Sequence, residues 1–182
     1  GPTYMTNTRI ASVDTDIEEM VDAGIVVCIA AGNRSHKVDV SGGDDYDNYA
    51  TVSGQNKYYH RGSSPNATTA ISVGNMDSTS ANSTNDQKAT SSETGPGVDI
   101  YAAGTNIMSC TSNTNRFTDA PYYENSNYRQ CNISGTSMAS PQVAGIAACI
   151  LQMNPSWSPA RVKQWLLDNA GSAILNTGTG ND

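Results

Sequence analysis

The sequence predicts an α/β fold, because a helical pattern is followed directly by the pattern of a buried strand. Apolar side chains recur at helical spacing in residues 14–23, residues 14–16 offer Asp and Thr as N-caps, and Gly24 can end the helix. Residues 25–31 are then continuously apolar and rich in β-branched side chains. Such a run is typical of a parallel strand buried on both faces. A helix that leads into a buried strand is half of a βαβ unit.

Further elements follow along the chain. Short apolar runs predict strands at residues 70–73 and 98–102. Residues 142–153 have hardly a polar face, which indicates a central buried helix. A second helix is predicted to begin after Ser158, with Pro159 in its first turn and Val162, Trp165 and Leu166 facing inward. These elements extend the α/β pattern to the C-terminal part of the chain.

Two segments lack a periodic pattern. Residues 34–64 are polar and are interpreted as a loop excursion. Residues 176–182 are rich in glycine and are predicted to form a flexible tail. The length of 182 residues fits a single domain with a sizeable core.

The composition restricts the classes of partner. The formal net charge is −7, and the ten Lys and Arg residues do not form the basic face that binding to nucleic acid requires. No apolar stretch approaches the length needed to cross a membrane. The abundance of Asn, Ser, Thr, Gly and Tyr, with a single Phe, favours an extracellular or secreted protein. We therefore expect neither a nucleic acid nor a membrane as partner.

The chemistry is concentrated in residues 135–141, which read Gly-Thr-Ser-Met-Ala-Ser-Pro. A serine nucleophile must be held in place, deprotonated and provided with donors for the oxyanion that its attack creates. Small neighbours leave room for a substrate backbone, and a helix that begins near Ser137 turns unpaired N–H groups toward a developing negative charge. Pro141 suits the first helical turn. This pattern predicts Ser137 as a nucleophile.

Residues 135–145 resemble the nucleophile segment of the subtilisin-like serine proteases, the subtilases, with Gln142 where the family usually has His. Residues 24–33, which read Gly-Ile-Val-Val-Cys-Ile-Ala-Ala-Gly-Asn, are similar to the family's strand that ends in the oxyanion-hole asparagine. Residues 70–75 and 98–104 are similar to the strands between those two motifs. Three ordered matches identify the chain as a member of this family.

The resemblance implies a subtilisin-like three-layer fold with a mainly parallel sheet, incomplete at its N-terminal side. Residues 1–182 would be the C-terminal part of the catalytic domain. Ser137 would form an acyl-enzyme with a peptide substrate, and Asn33 would stand in the oxyanion hole. The implied substrate-binding residues are Ala30, Ala31, Gly32, Gly135 and Thr136. No cofactor is required in this chemistry.

The catalytic Asp and His of the family have no counterpart in the chain. The two histidines, His36 and His60, lie in the loop excursion and are interpreted as surface residues, and Asp99 matches a structural position of the family. The resemblance therefore implies that the Asp and His come from an upstream segment or a companion chain, which is the expected partner. The chain alone would then be nearly inactive. The alternative is a non-catalytic structural or binding module derived from a subtilase.

Two further sites are candidates. Asp44, Asp45 and Asp47 lie among glycines, and such oxygen ligands can hold a structural Ca²⁺, although their spacing matches no defined calcium loop and a solvated acidic loop is preferred. In the subtilase arrangement the segments that carry Cys110 and Cys131 run antiparallel, so a disulfide between them is one option. Sequence alone does not fix cysteine pairing.

Overall fold

The structure is a computed structural model that describes residues 9–77, 86–115 and 117–171. Its helices are α1 (Ala11–Asp22), α2 (Thr136–Met153) and α3 (Pro159–Asn169). Its strands are β1 (Cys28–Ala30), β2 (Tyr49–Val52), β3 (Gln55–Tyr58), β4 (Ile71–Asp77), β5 (Gln87–Lys88), β6 (Ile100–Ala103), β7 (Ile107–Thr111), β8 (Asp119–Tyr122) and β9 (Asn125–Ile133). The predicted flexible tail, 176–182, lies outside the described residues.

The central sheet is built around β4. Strand β4 pairs in parallel with β1 on one side and with β6 on the other, and its carboxyl end pairs antiparallel with the short strand β5. Within the described residues β1 is an edge strand, since its second edge has no paired strand. The predicted α/β class is confirmed, and the strands predicted at 70–73 and 98–102 are present as β4 and β6.

Helices pack on both faces of this sheet because side chains alternate along β1. Cys28 contacts the larger core, which α2 and α3 form with Ile71 and Val73. The next residue, Ile29, belongs to a smaller core with Ala70, against which Ile17 of α1 packs. Successive side chains of a strand point to opposite faces, so α1 and α2 lie on opposite sides of the sheet.

Helix α2 is buried along one face only. Ala139, Val143, Ala147 and Ile150 are almost inaccessible, whereas Ile146 is 50% exposed. The prediction of a central helix buried all round is therefore wrong for the described part of the chain. The apolar residues outside the buried stripe, among them Ala144, Ile146, Cys149 and Met153, form an exposed apolar face of α2.

The helix termini agree with the sequence-based predictions only in part. Helix α1 begins at Ala11, ahead of the predicted caps, and its N-cap Ile10 supplies no side-chain hydrogen bond. Asp14 instead accepts from the Asn66 backbone N–H at 2.8 Å. Helix α3 agrees with the prediction, since the Ser158 side chain accepts from the Arg161 N–H and Pro159 stands in the first turn. Pro141 lies inside α2 rather than in its first turn.

The run predicted as a strand at residues 25–31 is shorter and less buried than expected. Strand β1 covers three residues, and Ile25 is 48% exposed. The polar segment 34–64 is also more ordered than expected, because β2 and β3 form an antiparallel hairpin within it. The description of this whole segment as a loop is therefore a correction.

Strands β7, β9 and β8 form an antiparallel three-stranded sheet immediately before α2. In its register Cys110 lies opposite Gln130 and Cys131 lies opposite Ser109. The two cysteines are thus one residue out of register, and their side chains point to opposite faces of the sheet. Cys110 is exposed, Cys131 is buried, and both are free. The candidate disulfide is therefore wrong for this structure, and a secreted location, which it would have supported, stays a prediction.

No helix within the described ranges has the length and apolar character needed to span a membrane.

Candidate functional site

The carboxyl end of β1 leads into an exposed turn at Asn33. The Ala31 N–H donates to Val73 O of β4 at 2.9 Å, which continues the parallel pairing beyond the strand. Gly32 has φ +126°, a conformation that glycine adopts far more readily than other residues. The sharp turn at Gly32 carries Asn33 out of the sheet, and the Asn33 side chain is exposed.

A second turn brings Ser137 to the same place. Gly135 has φ +154°, and its N–H donates to Gly104 O at 2.8 Å. Helix α2 begins at the next residue, so that Ser137 is its second residue and is exposed. Gln142 Nε2 donates to Ala103 O at 2.5 Å and ties the second turn of α2 to the end of β6.

Three of the four backbone donors at the start of α2 have acceptors. Gly135 N–H bonds Gly104 O, Thr136 N–H bonds Asn33 Oδ1 at 2.9 Å, and Met138 N–H bonds Gly135 O at 2.9 Å. The first four N–H groups of a helix have no acceptor within the helix. Among the described residues, the donor that remains open at this end is therefore the N–H of Ser137.

Thr136 also fixes the orientation of the Asn33 amide. A backbone N–H can only donate, so the atom of Asn33 that it meets is the oxygen, Oδ1. The Thr136 hydroxyl lies 3.2 Å from Oδ1 and accepts from the Gly32 N–H at 3.2 Å. The Nδ2 group of Asn33 is thereby left to donate elsewhere. Two hydrogen-bond donors, from Asn33 and Ser137, thus belong to one exposed site with a serine hydroxyl.

Comparison with known proteins shows the family of the chain. The model of the subtilase family matches residues 3–181. The chain belongs to the subtilase family. Serine protease AprX of Bacillus subtilis is 36% identical over 157 residues, which are 82% of this chain and 31% of that protein. Subtilisin-like protease 1 of Pseudogymnoascus destructans is 33% identical over 152 residues, 84% of this chain and 28% of that protein.

Solved structures share the fold. The crystal structure of a cold-adapted subtilisin-like serine proteinase superposes with a TM-score of 0.61 at 23% identity, over 96% of this chain and 49% of that one. A protease from Pseudoalteromonas arctica gives a TM-score of 0.60 at 23% identity, over 96% of this chain and 45% of that one. The subtilase described here thus spans about a third of these curated relatives and about half of these solved chains.

The predicted substrate-binding residues fall into two groups. Ala30, Ala31 and Gly32 are partly exposed along the end of β1, where a ligand can reach them. Gly135 and Thr136 are buried. Thr136 is fully inaccessible, and its backbone and hydroxyl groups are engaged with Gly32 and Asn33. Its position supports the site from behind.

Neither histidine is the surface residue that the sequence suggested. His60 is 3% exposed, and its Nδ1 lies 2.7 Å from Lys37 O. His36 is half-buried, and its Nδ1 is buried without a hydrogen-bond partner. Burial, with the nearby charges of Arg34 and His60, lowers the pKa of His36. Both rings are held within the 34–64 segment and its neighbours, which corrects their interpretation as surface residues.

The acidic residues proposed for Ca²⁺ are mostly used in ion pairs. Asp45 pairs with Lys37 and accepts from Asn48. Asp47 pairs with Arg61 at 2.5 Å, while Asp44 is exposed. Within the described ranges, no three His, Cys, Asp or Glu residues are grouped so that they could hold a metal ion. Asp99 also has a structural role, since it accepts from the Ser72 N–H and pairs with Lys163, each at 2.8 Å.

Glu93 is the residue of this region that sequence reasoning missed. Its backbone N–H donates to Gly32 O at 3.0 Å, and its side chain is 2% exposed. A side chain added at Gly32 would overlap the Glu93 carboxyl group. The sequence signal was a glutamate in an otherwise small and polar run, residues 89–95, and it carries no periodicity that could have pointed to burial.

Proposed function

We propose that residues 1–182 are the C-terminal part of the catalytic domain of a serine endopeptidase, with Ser137 as nucleophile. The observation that carries the proposal is the shared site of the exposed Ser137 hydroxyl, the open Ser137 N–H and the Asn33 amide whose oxygen is held by Thr136. These are the groups that acyl transfer needs at one place: a nucleophile and donors for the oxyanion.

In the proposed reaction the Ser137 Oγ attacks the peptide carbonyl carbon and gives its proton to a general base. The negative charge that develops on the carbonyl oxygen is stabilised by Asn33 Nδ2 and by the Ser137 N–H. The N-terminal end of α2 adds a favourable electrostatic contribution. Collapse of the tetrahedral intermediate expels the amine and leaves an acyl-enzyme on Ser137, which water then hydrolyses.

The general base and its orienting carboxylate are proposed to come from an upstream segment of the same protease. The engagement of His60 with Lys37 O and the confinement of His36 within the 34–64 segment support this. The edge strand β1 and the exposed apolar face of α2 support it as well, because an added strand and helix would bury both. The chain covers 31% of one curated relative and 49% of one solved chain, so the relatives are long enough to include such a segment.

The proposed substrate is a peptide or protein. Ala30, Ala31 and Gly32 would form one wall of the pocket for the residue before the scissile bond. Their small side chains leave the backbone at the end of β1 accessible to a ligand, and open α/β sheets bind ligands outside the carboxyl ends of their strands. The opposite wall would belong to the upstream segment.

The test is labelling with a fluorophosphonate serine probe. The full-length protein and its Ser137→Ala and Ser156→Ala variants are compared, since Ser156 is exposed between α2 and α3 and lies outside the site. We expect strong labelling that Ser137→Ala abolishes and Ser156→Ala leaves unchanged, together with hydrolysis of a peptide library. Absence of labelling in the full-length protein, or labelling that survives Ser137→Ala, would show that the chain is not a serine endopeptidase of this kind.

A further inference from the structure

The side chain of Glu93 occupies the space that a side chain of Gly32 would need. The backbone of Glu93 is fixed there by its hydrogen bond to Gly32 O, and Gly32 is followed directly by Asn33. The carboxyl group is therefore packed against the turn that carries the proposed oxyanion donor. It lies behind that turn, since Glu93 is 2% exposed while Asn33 is exposed.

This carboxyl group lacks the partners that a buried charge requires. Its Oε2 is buried without a hydrogen-bond partner. Burial raises the pKa of Glu93 to about 7, and the positive charge of Arg34 acts in the opposite direction. Near neutral pH the group thus exists in both its neutral and its charged form, and the charged form is the poorly accommodated one.

Hydrogen bonds engage two of the polar side chains near Glu93, those of Lys88 and Tyr101. On β5, the buried Lys88 Nζ donates to Ala89 O and Ser92 O of the segment that follows the strand. On β6, the Tyr101 hydroxyl meets the Glu93 backbone carbonyl at 3.4 Å and the Thr94 hydroxyl at 3.3 Å. On the segment after β1, the charged and titratable residues are Arg34, His36 and Lys37, of which Arg34 acts electrostatically on the carboxyl group.

An ionised carboxylate at this position needs water or a cation, and either needs space. Ser92 is fully buried, and Tyr101 lies on a paired strand, so these sides are packed. The Gly32–Asn33 turn ends an edge strand and is open to solvent at Asn33. Movement of this turn is the simplest way to hydrate the charge.

We infer that Glu93 is a positioning residue for the oxyanion hole: its neutral carboxyl group holds the Gly32–Asn33 turn in place, and its ionisation displaces that turn and weakens the hydrogen bonds to the oxyanion. The inference rests on the proposed function of Asn33 and Ser137. In this role Glu93 touches neither the substrate nor the reacting atoms, and it acts through the backbone of Gly32.

The first test compares kcat/KM of the full-length protein with that of Glu93→Gln across a pH range from about 5.5 to 9. The amide keeps the shape of the carboxyl group and cannot ionise. We expect equal values at the acidic end and a ratio of Glu93→Gln to wild type that rises to about tenfold at the alkaline end, part of what a lost oxyanion donor costs. Glu19→Gln, an exposed position on α1, is the control and should follow the wild type at every pH. A ratio that does not change with pH would overturn the inference.

The second test needs no catalysis. In the full-length Ser137→Ala variant, the backbone amide NMR signals of Gly32 and Asn33 should shift with a common midpoint near pH 7, and Glu93→Gln should abolish this shift. Signals without that midpoint would overturn the inference even in an active protease. A protein that hydrolyses no peptide would contradict the proposed function, and the NMR titration would still decide whether Glu93 positions the turn.

Discussion

The side-chain oxygen of Asn33 accepts hydrogen bonds from the backbone N–H of Thr136 at 2.9 Å and from its hydroxyl at 3.2 Å, across 103 positions of the chain. This contact joins the end of β1 to the start of α2. It orients the amide so that Nδ2 is available to donate. It also engages the Thr136 N–H, so that the Ser137 N–H is the open backbone donor at this end of α2 among the described residues. A residue that the family resemblance suggested as a substrate contact thus holds the two halves of the site together.

The Thr136 hydroxyl is expected to contribute to stability. Thr136→Val removes the acceptor of the Gly32 N–H but keeps the size of the fully buried side chain. This hydrogen bond is partly buried and such a bond contributes about 0.5–1.5 kcal/mol, so we expect a fall of about 1 kcal/mol in the free energy of unfolding. Thr136→Ser keeps the hydroxyl and is the matched control, with a smaller loss. Equal urea-unfolding midpoints for the two variants would contradict the role of the hydroxyl.

Gly32 is expected to tolerate no side chain while Glu93 is present. Gly32→Ala must adopt φ +126° and overlaps the Glu93 carboxyl group, so we expect a loss of at least about 2 kcal/mol in the free energy of unfolding. Gly54→Ala is the control for backbone strain alone, because Gly54 has φ +76° and an added Cβ would have no atom within 4 Å.

A double-mutant cycle can separate the cost of the overlap between Gly32→Ala and Glu93 from the cost of backbone strain. In a Glu93→Ala background the obstacle to an alanine at Gly32 is removed, so Gly32→Ala should cost at least about 1 kcal/mol less there than in the wild type. Additive losses in the two variants would show that the two side chains do not compete for the same space.

The stability of the protein should depend on pH through Glu93. Its pKa in the folded state is about 7, raised by burial above the ordinary value of 4.5, so between these values the folded state binds more protons than the unfolded state. The stabilisation that the protonated Glu93 adds to the free energy of unfolding is therefore fully present below about pH 4.5. It is lost as the pH rises through about 7. The shift corresponds to about 3 kcal/mol.

Urea unfolding across this window tests the expectation. Glu93→Gln should become more stable relative to wild type as the pH rises, and Glu19→Gln should run parallel to the wild type because Glu19 is exposed. Parallel curves for wild type and Glu93→Gln from about pH 4.5 to 8 would contradict the burial of a titrating carboxyl group.

Cys110 and Cys131 are expected to remain separate thiols. Their one-residue offset across β7 and β9 places them on opposite faces of the sheet. Alkylation of the unfolded, unreduced protein followed by mass spectrometry should modify both residues, and Cys110→Ser should leave the midpoint of unfolding unchanged. A peptide pair linked through these two cysteines would contradict the register of this sheet.

The sequence by itself determined the elements whose signals are local. The apolar run before Asn33 indicated a strand that ends at a site, and Ser158 with Pro159 predicted where α3 begins. Residues 135–141 predict Ser137 as a nucleophile through their small side chains, the expected helix start and their resemblance to the subtilases. These features depend on neighbours in the chain, so local sequence patterns were sufficient to predict them.

The tertiary structure decided what depends on residues far apart in sequence. The orientation of Asn33 is set by Thr136, the burial of Glu93 by Gly32, and the separation of Cys110 from Cys131 by strand register. The exposed apolar face of α2 likewise depends on the sheet, which covers only one side of that helix. Packing across the fold selects these contacts, and a sequence pattern carries no record of which distant residue fills a given space.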